Sequence, residues 1–268
     1  MILELLEYLM SSCSRTGRSM GFLSSSLRVR ARYRRCRKAW LPHLEQTRRI
    51  ILQAADCCRS RRKVVVLGAG LLHDIPLTEL SNMFEEVVLV DIVHPWLSRI
   101  AVRRFRNVSQ LAADVTGVME ELRRIAPVPD AAMPVSHPEL FVDDHRLDLT
   151  LSVNLLSQLS HVPGRHLEGR RDEPAIYAFL KHLVKAHLDY LRRLPGQTAL
   201  ITDTAVYRTA KEDSAVEKWD PLFGVKLPPP EFTWDWHLAP SPEIGRGIDM
   251  YTTVCAFTDW KKSSALPG

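Results

Sequence analysis

The stretch KVVVLGAGLLHDIPLTELSNMFEEVVLVD, residues 63–91, decides the fold. Lys63-Val64-Val65-Val66-Leu67 is an apolar, β-branched run of strand length. It stops at Gly68-Ala69-Gly70, a helix-like stretch follows, and a second apolar run, Val87 to Val90, closes on Asp91. Strand, glycine turn, helix, strand and terminal acid form the first half of a nucleotide-binding α/β fold. Strands apolar along their whole length are buried on both faces, which favours a parallel sheet covered by helices. Gly68 and Gly70 allow a sharp turn and a close backbone approach to a ligand. Asp74, with Pro76 behind it, reads as a capped helix start. Asp91 stands at a strand tip, where a carboxylate accepts hydrogen bonds from ribose hydroxyls. The plainer reading, a tight βα turn and a solvated acid with no ligand, stands beside it.

A dinucleotide fingerprint wants a third small residue where this chain has His73. The order resembles instead the first motif of the class I S-adenosylmethionine-dependent methyltransferases, an apolar strand, Gly-x-Gly, and an acid ending the second strand. Val66 stands where those enzymes often carry an acid, and Leu72 where they often carry a third glycine. The resemblance runs from about residue 63 to 257. Ala113-Asp114-Val115-Thr116 looks like the third motif, with Asp114 or Val115 at the adenine; Asp114 also suits the cap of a helix beginning near Thr116. Residues 147–154 form the fourth strand, and Asn154 resembles the polar residue beside the methyl group. The turn Pro195-Gly196-Gln197 before a fifth strand is similar to the family's Pro-Gly-Gly turn. Residues 232–238 and 249–257 read as two closing strands of an antiparallel hairpin. The resemblance implies a doubly wound, mostly parallel seven-stranded α/β sheet with that hairpin at its C-terminal edge and helices at its N-terminus. It implies the cofactor S-adenosyl-L-methionine, held by Gly68, Ala69, Gly70, Asp91, Ile92, Asp114, Val115, Asn154 and Leu155.

The remaining chain divides into an Arg-rich helical cap (1–60), the nucleotide-binding domain (61–260) and a tail (261–268). Residues 1–10 are helix-like, and the Ser- and Gly-rich stretch 11–26 reads as a loop. Residues 27–58 are helical, with Pro42 as a break or second start, and Trp40, Leu44, Ile51, Leu52 and Ala55 make an apolar stripe. In methyltransferases such helices cover the cofactor end of the sheet. Residues 126–138 are a proline-rich connection and 161–174 a polar loop. Residues 175–194 form a helix whose His182 and His187 read as surface or interface residues.

The net charge of +5 is concentrated between Arg15 and Lys38. Such a block suits the phosphates of a nucleic acid or an anionic surface, and equally a solvated helix face. Cys13, Cys36, Cys57, Cys58 and Cys255 form no metal or CxxC pattern, which suggests reduced thiols in a cytoplasmic protein. No run approaches the ~18 apolar residues of a membrane span. His137, Asp143, Asp144 and His145 match no standard ligand spacing, and no metal is expected. The expected reaction is methyl transfer to a nitrogen or oxygen of a small molecule. A nicotinamide-dependent oxidoreductase and a non-catalytic binding protein of the same fold are the alternatives. His161, Tyr207, Asp235 and His237 lie on segments expected near the mouth of the site, as candidate bases or as structural residues.

Overall fold

The computed structural model describes residues 10–125, 132–210 and 217–265. The helix-like start at 1–9, part of the proline-rich connection and the last three residues of the tail lie outside the described residues. A short strand β1 (Ser12–Cys13) and helix α1 (Arg15–Ser19) precede the long helix α2 (Phe22–Asp56). Then come β2 (Lys63–Leu67), α3 (Leu77–Met83), β3 (Glu86–Asp91), β4 (Val93–His94), α4 (Trp96–Val102), β5 (Val108–Ala112) and α5 (Met119–Arg124). The second half runs β6 (Leu147–Val153), α6 (His161–Leu167), α7 (Glu173–Arg193), β7 (Gln197–Ala210), β8 (Glu217–Trp219), β9 (Phe232–Ala239), β10 (Ile248–Phe257) and α8 (Trp260–Ala265).

The main sheet is ordered β5-β3-β2-β6-β7-β10-β9. Strands β5, β3, β2, β6 and β7 run parallel. Strand β10 inserts antiparallel between β7 and β9, so the expected hairpin closes the sheet. The short β8 pairs antiparallel with β7 and makes an eighth strand where seven were expected. Strands β1 and β4 form a separate two-stranded ribbon.

Alternation along each strand sorts the core into two layers. Val64, Val66, Val87, Leu89 and Leu151 face α2 and α3, where they meet Ile50, Ile51, Ala54 and Leu80. Val65, Leu67, Val88, Val90 and Leu200 face α7 and α8, where they meet Val184, Leu188, Tyr190 and Trp260. Residues apolar on both faces are therefore what a sheet buried between helix layers requires.

Several local expectations are corrected. The stretch 11–26 is not a loop, because α1 occupies part of it and α2 begins at Phe22. Serines 24 to 26 follow Leu23, which is fully buried, so tertiary packing overrides their weak helix propensity. Pro42 does not break α2, which continues through it to Asp56. The segment 161–174 starts with helix α6 rather than a polar loop. His187 is buried against the Ser152 hydroxyl at 3.0 Å, and His182 Nε2 accepts from the Ser136 N–H, so neither is a free surface residue.

Candidate functional site

The C-terminal ends of the parallel strands open into one pocket. This is the crevice where open α/β sheets take their ligands. Strand β3 ends at Asp91, while β2, β5 and β6 end just before Gly68, Ala113 and Asn154, and each of these residues lines the pocket. Of the nine residues expected at a cofactor, all but Ala69 lie on this wall. Ala69 is fully buried in the core facing α2.

The two glycines have reasons within the chain itself. Gly68 has φ +87°, and a Cβ there would sit 2.7 Å from the Val153 carbonyl oxygen. A Cβ on Gly70 would lie 2.9 Å from Asp91 Oδ2. That space is used by a hydrogen bond, Gly70 N–H to Asp91 Oδ2 at 2.9 Å, while Val93 N–H donates to Oδ1 at 3.0 Å. Each oxygen keeps lone-pair capacity for a further donor. Burial raises the Asp91 pKa, opposed by the Val93 N–H, the nearby His94 and the Gly70 N–H. Leu72, where a third glycine was noted as missing, has φ +59°, the left-handed conformation that glycine adopts without strain.

Asp74 does not cap α3, whose N-terminus has Pro76 and no side-chain cap. It points instead into the site, where its Oδ2 accepts from Asn154 Nδ2 at 2.8 Å. Burial raises its pKa. Asn154 itself has φ +48°, and its Nδ2 also lies 3.2 Å from His43 Nε2. The Asn154 Oδ1 has no hydrogen-bond partner among the described residues. Asp114 takes the capping role foreseen as one of its two readings. Its Oδ1 accepts from Thr116 N–H and hydroxyl at 2.8 and 2.6 Å, and its Oδ2 accepts from Met119 N–H at 2.8 Å, the first residue of α5.

Helix α2 roofs the pocket with Phe22, Ser25, Trp40 and His43, and β9 adds Trp236. His43 stacks on Trp236 with centroids 3.9 Å apart, and Trp40 meets Trp236 edge-on at 4.8 Å. His43 is 1% exposed, and burial lowers its pKa to about 3. Its Nδ1 accepts from Trp234 Nε1–H at 3.2 Å. Sequence reading missed His43 and Trp236, and placed Trp40 only in an apolar stripe. No local motif marks them, because they come from the two ends of the chain.

Of the candidate bases, His161 lines the pocket mouth. Tyr207 and His237 do not; they stack on either side of Tyr251 at 5.5 and 4.3 Å, with His237 Nε2 2.8 Å from Asp249. Asp235 accepts from the Thr253 hydroxyl at 2.9 Å and is likewise off the pocket. Alternation along β9 gives the reason, since Trp236 faces the pocket and its neighbours face away.

Two arginines of the basic segment, Arg32 and Arg35, bind Glu243 in the β9–β10 connection. No group of three His, Cys, Asp or Glu among the described residues is placed to hold a metal ion. No described helix is long and apolar enough to cross a membrane.

No family model and no curated protein matches the chain. Solved structures with a similar course include the N-methyltransferase NodS of Bradyrhizobium japonicum with S-adenosylhomocysteine, at 10% identity, 80% of this chain, 85% of that one and TM-score 0.37. The Burkholderia thailandensis 1,6-didemethyltoxoflavin-N1-methyltransferase matches at 14% identity, 88% and 89% coverage and TM-score 0.35. The Haemonchus contortus phosphoethanolamine N-methyltransferase 1 matches at 13% identity over 60% of this chain and TM-score 0.32; there the match spans only 26% of the other chain. Likenesses of this size carry no argument about activity, which has to come from the pocket.

Proposed function

We propose that the chain binds S-adenosylmethionine in this pocket and transfers its methyl group to a small-molecule nitrogen or oxygen. The observation that carries the reading is the convergence of Gly68, Gly70, Asp91, Val115 and Asn154 on one cavity at the strand ends. The residues fit such a ligand. The glycine turn leaves backbone close to the cavity, Asp91 retains lone pairs for ribose hydroxyls, and buried Val115 offers an apolar wall for adenine. Asp114 spends its oxygens on its own turn, so its part at the adenine end is to fix the position of Val115. Asn154 lines the same pocket at the end of β6, where the methionine part is expected.

When bound, the cofactor supplies an electrophilic methyl on a sulfonium. The protein then contributes proximity and orientation, since displacement at that carbon needs an in-line approach. The roof formed by Phe22, Trp40 and Trp236 keeps water from the reacting groups, and function resides in this site rather than in the fold as such.

Calorimetric titration of the full chain with S-adenosylmethionine, S-adenosylhomocysteine, NAD(H) and NADP(H) tests the reading. Micromolar binding of the first two, lost in Asp91→Ala, is the expected result. Binding of a nicotinamide cofactor alone would replace the methyltransferase with an oxidoreductase. Binding of none would leave a scaffold protein of this fold.

A further inference from the structure

The pocket wall beside Asn154 holds an acid that has no ion-pair partner among the described residues. Asp74 lines the wall, and among the described residues no Lys, Arg or His nitrogen forms an ion pair with it. Arg48 acts on it through space, but its guanidinium donates to the His73 carbonyl rather than to Asp74. A carboxylate set deep in protein without a cation is costly, and an incoming cation relieves that cost. Asn154 links Asp74 to His43, His43 stacks on Trp236, and Trp236 meets Trp40. Trp40 and Trp236 both line the pocket, each less than one-tenth exposed.

We propose that the methyl acceptor is an amine, bound as its ammonium against Asp74, and that Asp74 takes the proton the nitrogen must shed to become a nucleophile. This rests on the methyltransferase reading and adds to it a substrate class and a base. The step is balanced: an N–H bond breaks, an O–H bond forms on Asp74, and a neutral amine with a free electron pair remains beside a neutral carboxylic acid.

The surrounding network has a place for that proton. His43 Nδ1 accepts from Trp234, so the neutral ring carries its own proton on Nε2. That N–H faces the Asn154 Nδ2, donor against donor, at 3.2 Å, while the Asn154 Oδ1 lies unpartnered. Once Asp74 is protonated, a half-turn of the Asn154 amide lets Oδ1 accept from both His43 Nε2–H and the Asp74 hydroxyl. The donors of His43 and Asp74 then share the Asn154 oxygen as acceptor, in place of the donor-against-donor approach. Burial works in the same direction, because it raises the basicity of the carboxylate. An alcohol or phenol acceptor would bring no charge to Asp74, and a carboxylate acceptor would be repelled by it.

The test is calorimetric titration of the full chain, saturated with S-adenosylhomocysteine near neutral pH, with benzylamine and with its neutral isostere benzyl alcohol. The expected result is that benzylamine binds about tenfold tighter. Asp74→Asn should bring the two affinities together while leaving S-adenosylhomocysteine affinity unchanged, which also reports that the variant is folded. Absence of a preference in the wild-type chain overturns the inference, and that comparison needs no variant. A preference that survives Asp74→Asn overturns it too. Loss of S-adenosylhomocysteine affinity in Asp74→Asn assigns Asp74 to the cofactor's own ammonium and overturns the acceptor role. Failure of the wild-type chain to bind S-adenosylhomocysteine removes the methyltransferase reading itself, so the two failures are distinguishable.

Discussion

Gly70 and Asp91 are a single device made of two residues. The Asp91 carboxylate ties the glycine turn to β3 through the Gly70 and Val93 N–H groups. Gly70→Ala would put a methyl 2.9 Å from Asp91 Oδ2 and 3.1 Å from the Val93 oxygen, so the Asp91 carboxylate and its two backbone hydrogen bonds would have to shift. The expected cost is about 1–3 kcal/mol in urea unfolding, together with loss of S-adenosylhomocysteine binding. A variant as stable as the wild type and still binding would show that the turn does not depend on this approach. These two residues were legible because their partners lie within one strand–turn–strand unit. Asp74 was not, because its role comes from Asn154, 80 positions away, whereas a local reading offers only the cap. His43 and Trp236 were hidden for the same reason, since they meet only through the packing of α2 on β9. On β9 a one-residue change of register exchanges the two faces, which is why Trp236 lines the pocket and the expected Asp235 and His237 do not.

Helix α2 carries this logic at the level of an element. It spans 35 residues and presents Trp40, Leu44, Ile51 and Ala55 to the core, so the stripe visible in the sequence is the face it buries except at Leu52, which is only half-buried. Its stretch from Phe22 to Leu44 roofs the pocket, and Arg32 and Arg35 fasten that stretch to Glu243. What the sequence did not reveal was its continuity. A proline in a helix interior removes one hydrogen bond and crowds the carbonyl four residues earlier, at Lys38, so a break was the natural expectation. Burial of residues on both sides of Pro42 holds the helix together despite that cost. Because Pro42 is itself exposed, Pro42→Ala restores the missing donor without disturbing the core. Its expected effect is a gain of about 1–3 kcal/mol in urea unfolding. An unchanged or lowered stability would mean that the helix depends on the conformation the proline imposes.

Across the whole molecule, the buried titratable groups set opposing pH dependences. Burial lowers the pKa of His43 to about 3 and those of His73 and His187 to about 4, from an ordinary value of 6.5. Between those values the unfolded chain binds more protons than the folded one, so these histidines make stability fall as pH drops below 6.5. Asp203 acts oppositely. It sits on β7, partly buried, with Ser157 donating to Oδ2 at 3.0 Å and Oδ1 without a partner among the described residues. Burial raises its pKa from 3.8 to about 6. Between those two values the folded state binds the extra proton, so its contribution is favourable below about 4 and is lost as pH rises through 6. At neutral pH the folded chain therefore carries a penalty that an uncharged side chain would not. Asp203→Asn keeps an oxygen for Ser157 and removes the ionisation. It should stabilise the protein at neutral pH by up to roughly 3 kcal/mol and give no gain near pH 4, where Asp203 is already neutral in the fold. Urea denaturation of both proteins across that range reads the difference directly. A constant offset at every pH would attribute the change to packing, and no offset at any pH would mean that Asp203 ionises in the fold without a penalty.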